Sequence, residues 1–245
     1  MIDSVGDQII EYDYASDIGQ CLFFHGAFEQ QEIEFFARLI ARDAAPVVLD
    51  IGANIGVHSL AWANANRNAT IYAFEPSQSA RKLLHRNVEA SSCRNQVVIV
   101  PRAISNEIGH ARFFQCDDNA FSSLKDTKRK RVVRVEEVDV TTVDSFVAEH
   151  EISELSLVKI DAEGAETEVI LGAINTLRSL GPDLFVEIYG GTDSNPAPER
   201  TIKLISDLGY NAFVLKSGQP VPYERHDDAF YNYYFTRSGR SAVQC

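Results

Sequence analysis

The chain has 245 residues, of which 45% are hydrophobic and 24% charged, and its formal net charge is −12. That is enough apolar material for one α/β domain with a buried core, which excludes a disordered acidic chain and argues against general affinity for nucleic acid or anionic membranes. No apolar run approaches the ~18 residues of a membrane span, and the opening MIDSVGDQII lacks the regions of a secretion signal. Cys21, Cys93, Cys116 and Cys245 lie far apart with no C-x-x-C pair, so neither a zinc site nor a disulfide framework is expected. Reduced thiols in a cytoplasmic protein are.

Elements follow in chain order. Residues 1–45 read as an N-terminal extension or lid, containing one helix, EQQEIEFFARLIAR, with Ile33, Phe36, Ala37 and Ile40 on a single face. Residues 46–240 read as the core of a single domain covering residues 1–245. PVVLDI is a buried strand and VHSLAWANAN a helix; TIYAFEP is a second strand, and SQSARKLLHRNVEAS a helix capped by Ser77. QVVIVP forms a third strand. Residues 111–140 break the rhythm, with ARFFQ and RVVRVEEVDV forming an inserted antiparallel hairpin. ELSLVKID is a fourth strand, GAETEVILGAINTLRSLG one long helix closed by Gly181, and DLFVEIY a fifth strand. PERTIKLISDLG is a further helix, and AFYNYYFTR a late strand packing aromatics. This alternation implies a doubly wound, Rossmann-like α/β fold: a mostly parallel sheet, helices on both faces and an antiparallel last strand.

In such a sheet, ligands bind at the carboxyl ends of the strands. VVLDIGANIGVHSLAWA sits at one of them. Gly52 and Gly56 make a tight strand-to-helix turn and remove side chains where a ligand approaches the backbone. The pattern is D-x-G-x-x-x-G, not the dinucleotide fingerprint, and Asp50 would repel a pyrophosphate. An acid there suits an ammonium group, such as the amino-acid end of S-adenosyl-L-methionine. Glu75, at the end of the second strand, suits the hydroxyls of a ribose. A dinucleotide-dependent oxidoreductase is disfavoured accordingly. The structural alternatives are that Asp50 caps the next helix and Glu75 is a solvated strand end.

VVLDIGANIGVHSLAWA, IYAFEPSQSARKLLHRN, VPRAISNEIG, NAFSSL, TTVDSF and LVKIDAEGAETEVILGA stand in an order that resembles the FkbM family of S-adenosylmethionine-dependent methyltransferases. The resemblance runs roughly from Glu29 to Tyr189, with a weaker echo at HDDAFYNYYF. KIDAEGAE is its most specific part. It implies a class I methyltransferase fold and methylation of a hydroxyl on a sugar or secondary metabolite. It further implies that Asp50, Gly52, Asn54 and Gly56 hold the amino-acid and sulfonium end, that Glu75 with Pro76 and Ser77 meets the ribose, and that Ala103 and Ile104 line the adenine. His58 faces the same loop in an open role. The implied partner is a small-molecule acceptor: a sugar, nucleotide sugar or secondary metabolite, with no nucleic acid and no membrane span. Assembly of identical copies stays open.

Transfer to a hydroxyl wants a base near the methyl. Lys159 and Asp161 alternate on a strand and share a face, with Asp161 at its carboxyl end. Asp161, Glu163 and Glu187 are the candidate acids, with Glu166 more simply a helix-start residue and His226 a further candidate base. Asp161 would also border the cofactor. The three acids could bind Mg²⁺ instead, but no further ligand can be placed beside them and a metal is not favoured. Lys125, Lys128, Arg129, Lys130, Arg131 and Arg134 read as a solvated hairpin tip or as a receptor for a phosphate-bearing acceptor. Ser122 and Ser123 are turn caps or site residues. Acceptor specificity is expected from the N-terminal segment, the hairpin and GGTDSNPAPE. The alternatives are N- or carboxyl-methylation of a small molecule or peptide, or a non-catalytic nucleoside-binding protein.

Overall fold

The computed structural model describes residues 1–5, 8–190, 197–227 and 229–237. In chain order the elements begin with β1 Ile2–Val5, β2 Gln8–Glu11, α1 Asp17–His25, α2 Gln30–Ile40, β3 Val47–Ile51 and α3 Val57–Ala65. Next come β4 Thr70–Phe74, α4 Gln78–Ala90, β5 Val97–Val100, β6 Ala103–Ile104, β7 Gly109–Cys116 and, after a 3₁₀ turn, β8 Val132–Thr141. They continue with α5 Val143–Glu149, β9 Leu157–Ile160, α6 Glu166–Leu171, α7 Ile174–Ser179 and β10 Asp183–Glu187. The chain closes with α8 Pro198–Asp207, β11 Tyr210–Lys216, β12 Gln219–Pro222 and β13 Asn232–Arg237.

Eight strands form the main sheet in the order β12-β11-β13-β10-β9-β3-β4-β5. The five expected parallel strands pair as expected, and β13 runs antiparallel to both β10 and β11. Strand alternation divides the core between the two faces. Val48, Ile71, Leu157 and Phe185 meet α2 and α3 through Phe36, Leu60 and Trp62. Leu49, Phe74, Val158 and Leu184 meet α5 to α8 through Phe146, Val169, Leu177 and Ile202. Covering both faces leaves the carboxyl edge of the sheet for a ligand.

Three expectations change. The N-terminal region is ordered where described: β1 and β2 pair antiparallel, and Ser16 caps α1 by accepting from the Gly19 amide. The helix expected over 164–181 is two, because Asp144 accepts from the Asn175 and Thr176 amides and thereby caps α7. Gly172 makes the corner, where an added Cβ would stand 2.1 Å from the Ser105 carbonyl oxygen. The hairpin β7–β8 exists, joined by β6 into a separate three-stranded sheet. Of GGTDSNPAPE, residues 191–196 lie outside the described residues, as do Asp228 of HDDAFYNYYF and Cys245.

Candidate active site

The turn after β3 is built by contact between two chain segments. Gly52 has φ +81, and a Cβ on it would lie 1.9 Å from the Asp161 carbonyl oxygen. Gly56 has φ +91 and packs against Leu84, which a Cβ would approach to 2.5 Å. Both glycines thus serve left-handed backbone and close packing. Between them Asn54 also adopts a positive φ, 50°.

Asp50 is entirely buried. Its Oδ2 accepts from the Ser59 hydroxyl at 2.6 Å, and its Oδ1 lies 3.4 Å from Lys159 Nζ. Register explains the pair: Asp50 and Lys159 are directly opposed on β3 and β9. Lys159 also donates to the Gly52 carbonyl at 2.9 Å and to Asp161 at 3.2 Å. Burial works against its ammonium, but Asp161, Asp50 and Glu29 overcome that and raise its pKa above the ordinary lysine value. The direct cofactor contact expected of Asp50 is therefore not what the geometry provides. Its charge is met inside the protein, where it anchors Lys159 under the loop.

Two adjoining cavities share Gly52, Asn54, Asp161 and Glu163 on their walls. The first is walled by Ile51, Phe74, Ala103, Ile104 and Leu124, with Glu75 and Pro76 at its edge. Glu75 is buried, and its two oxygens accept from the Asn54 amide at 2.9 Å and the Ser77 amide at 2.7 Å. Burial raises its pKa to about 7 against the pull of those amides. Ser77 itself faces Ala80 as the α4 cap. Ser122 and Ser123 border this cavity, and Ser123 donates to the Ala162 carbonyl, tying the hairpin insertion to the loop after β9.

The second cavity, of about 420 Å³, is polar. Asp161, Glu163 and Glu187 offer oxygens within 4.8 Å of one another. Burial, followed by the charges of Asp161 and Glu163, holds the Glu187 carboxyl well above the usual range. Glu163 rises to about 8 through burial and Asp161, in spite of Arg129 at 2.5 Å. Arg129 lies between the rings of Phe121 and Tyr189. Glu166 accepts from the Ala162 and Gly164 amides, so it shapes this loop from a buried position.

The basic stretch is divided: Lys128, Arg131 and Arg134 are exposed, as a solvated tip would be, while Lys125, Arg129 and Lys130 turn inward. Lys125 donates to the Gly164 carbonyl and Glu168, Arg129 pairs with Glu163, and Lys130 with Asp17. These contacts staple the insertion over the site. His226 is misplaced as a base: it bonds the Tyr233 hydroxyl at 2.6 Å. Tyr233 belongs to the core on the sheet face opposite Phe185 and Glu187. Sequence reasoning missed Glu29, which lies 3.0 Å from His58 and accepts from Asn232 at 3.1 Å on the wall of the second cavity. No motif surrounds it, so only the fold reveals it.

An apolar slot with a carboxylate at the second strand end opens into an acidic chamber at the fourth and fifth, on a class I methyltransferase fold. Residues 50–212 match the Methyltransferase FkbM domain, and the chain belongs to that family. It is 27% identical over 181 residues to the hexuronic acid methyltransferase AglP of Haloferax volcanii, covering 73% of this chain and 70% of that protein. It is 26% identical to the AMB antimetabolite synthetase AmbE of Pseudomonas aeruginosa, covering 79% of this chain but only 10% of that much longer protein. Among solved structures it resembles methyltransferase FkbM from Methylobacillus flagellatus, with a TM-score of 0.53, 14% identity, and 78% of this chain and 44% of that chain covered. Cofactor-bound Rv0187 from MTB superposes with a TM-score of 0.52 at 15% identity over 87% of this chain and 82% of that one. Among the described residues, no helix is long and apolar enough to cross a membrane.

Proposed function

We propose that this methyltransferase uses S-adenosyl-L-methionine to methylate an oxygen of a sugar or small metabolite, with an acidic sugar as the favoured acceptor. The observation that carries this reading is the junction of the two cavities at Gly52, Asn54 and Asp161. The donor set fits the cofactor. The first cavity offers apolar walls and one buried carboxylate, as a nucleoside without phosphate requires, and Arg102 on its rim is held by Glu149. When bound, the cofactor supplies an activated methyl on a sulfonium. Glu75 would accept from the ribose hydroxyls, and Ala103 and Ile104 would flank the base.

Asp161 borders both cavities, which supports it as the group that orients the acceptor oxygen and takes its proton. Glu163, raised to about 8, and Glu187, pushed up by burial and by Asp161, would hydrogen-bond the same acceptor. Lys159 and Arg129 already stand on Asp161 and Glu163, which leaves the acidic trio partly neutralised without a metal. Carboxyl methylation is the second reading. It is favoured by the name of the Haloferax relative, since a hexuronic acid carries a carboxylate as well as hydroxyls. Calorimetric titration with S-adenosylhomocysteine and with NAD tests the assignment. Binding of the first alone, weakened at least tenfold by Glu75→Ala, is expected. Equal binding of NAD, or none of either, would remove it.

A further inference from the structure

The expected receptor for the cofactor's ammonium group, Asp50, is enclosed and paired, so another anion must meet that charge. This inference rests on the reading that the joined cavities hold S-adenosylmethionine. With the nucleoside end in the first cavity, the amino-acid end would lie toward the second, whose wall shares Gly52 and Asn54 with the first. There Asp161 is reserved for the acceptor oxygen in the proposed reaction, and Glu163 is paired with Arg129. Glu29 differs from both. It stands at the N-cap position of α2, yet its side chain makes no capping bond, whereas N-cap side chains ordinarily satisfy the first helical amides. Its backbone adopts φ +44, a left-handed conformation uncommon for a non-glycine residue.

That geometry turns the carboxylate into the cavity. His58 Nε2 lies 3.0 Å from one oxygen, and Asn232 Nδ2 donates to the other at 3.1 Å. Phe28 packs edge-on against the His58 ring and supports it. The side chain of Glu29 is 15% exposed, so it is open to a ligand yet largely removed from water. Burial alone would push this carboxyl up; the bonds from His58 and Asn232 and the charges of His58 and Lys159 reverse the effect and hold it below the ordinary value. Glu187, its neighbour in the chamber, is pushed the other way.

We infer that Glu29, oriented by His58 and Asn232, is the residue that receives the ammonium group of the cofactor's amino-acid end. Glu29 precedes the region matched to the family, 50–212, so the N-terminal segment would complete the cofactor site as well as cover it. The test is calorimetry on wild type and Glu29→Gln with two ligands: S-adenosylhomocysteine, and 5′-methylthioadenosine, which lacks the amino acid. The expected result is a ten- to hundredfold loss of affinity for the first, as for a lost charged hydrogen bond. Affinity for the second should stay within twofold, which also shows that the variant is folded. Unchanged or tighter binding of S-adenosylhomocysteine overturns the assignment, the latter by placing Glu29 beside the carboxylate instead. An equal loss with both ligands overturns it too, by making Glu29 a structural support. If wild type binds neither ligand, the proposed function itself falls, which is a different result from any of these.

Discussion

Asp50 and Asp161 show how one residue type takes different duties from its surroundings. Both contact Lys159, but Asp50 is sealed beneath the loop, whereas the Asp161 side chain is 27% exposed and borders both cavities. A sealed carboxylate can fix a lysine; only an open one can reach an acceptor. Asp161→Asn is expected to lower turnover about 10²-fold or more, in line with removal of a general base, while S-adenosylhomocysteine affinity shifts far less. Steady-state rates with a uronic acid acceptor, alongside calorimetry, check this. Near wild-type turnover would move the chemistry to a carboxylate, which arrives already deprotonated. The KIDAEGAE motif drew attention to this loop in the sequence. That Glu166 shapes the loop through two amides, while Glu163 faces Arg129 across 34 positions of chain, was not legible, because both contacts depend on the folded insertion.

At the level of elements, the hairpin insertion and the α6–α7 corner are where local pattern and tertiary packing part company. Apolar periodicity continues through Gly172 and Ala173, so the sequence reads as one helix. Asp144 of α5 ends it by capping α7, and its own amide donates to the Gly172 carbonyl at 2.9 Å. Gly172→Ala should therefore cost about 1–3 kcal/mol, the range for an overpacked site, because Ser105 has no room for a Cβ. Thermal unfolding monitored by circular dichroism checks it; an unchanged or raised Tm would mean the corner tolerates an ordinary helical residue. The insertion shows the converse. Its run of basic residues looked like a charge pattern without partners, since Asp17, Glu163 and Glu168 are remote in sequence. Folded, those acids pair with Lys130, Arg129 and Lys125 and hold the insertion against the site.

For the whole molecule, burial of acids at the carboxyl edge has a consequence for stability. Glu75 and Glu166 are raised to about 7 and Glu163 to about 8, each chiefly by burial, from an ordinary value of 4.5. The folded chain thus keeps protons that the unfolded chain releases. The stabilisation is complete below about 4.5 and lost as pH rises through 7 to 8. A net charge of −12 adds self-repulsion of the same sign at higher pH. Glu29 acts oppositely, but below its ordinary value and hence in a lower window. Urea unfolding of the ligand-free protein should show a higher midpoint near pH 6 than near pH 8.5. A midpoint that rises over this interval would mean that these carboxylates are ionised in the fold.

The order of strands and helices, the glycine turn after β3 and the acids at the ends of β4, β9 and β10 were all written locally. Hydrophobic period, turn chemistry and strand-end position are properties of neighbouring residues, so one sequence determined them. What the acids do was decided by contacts between distant segments. Register set Lys159 opposite Asp50 and withdrew it from the ligand. Sheet alternation put Tyr233, the partner of His226, on the face opposite Phe185, and the docking of α2 brought Glu29 to His58 and Asn232 across up to 203 positions of chain. Charge state and access depend on burial and partners, and those exist only once the chain has closed on itself.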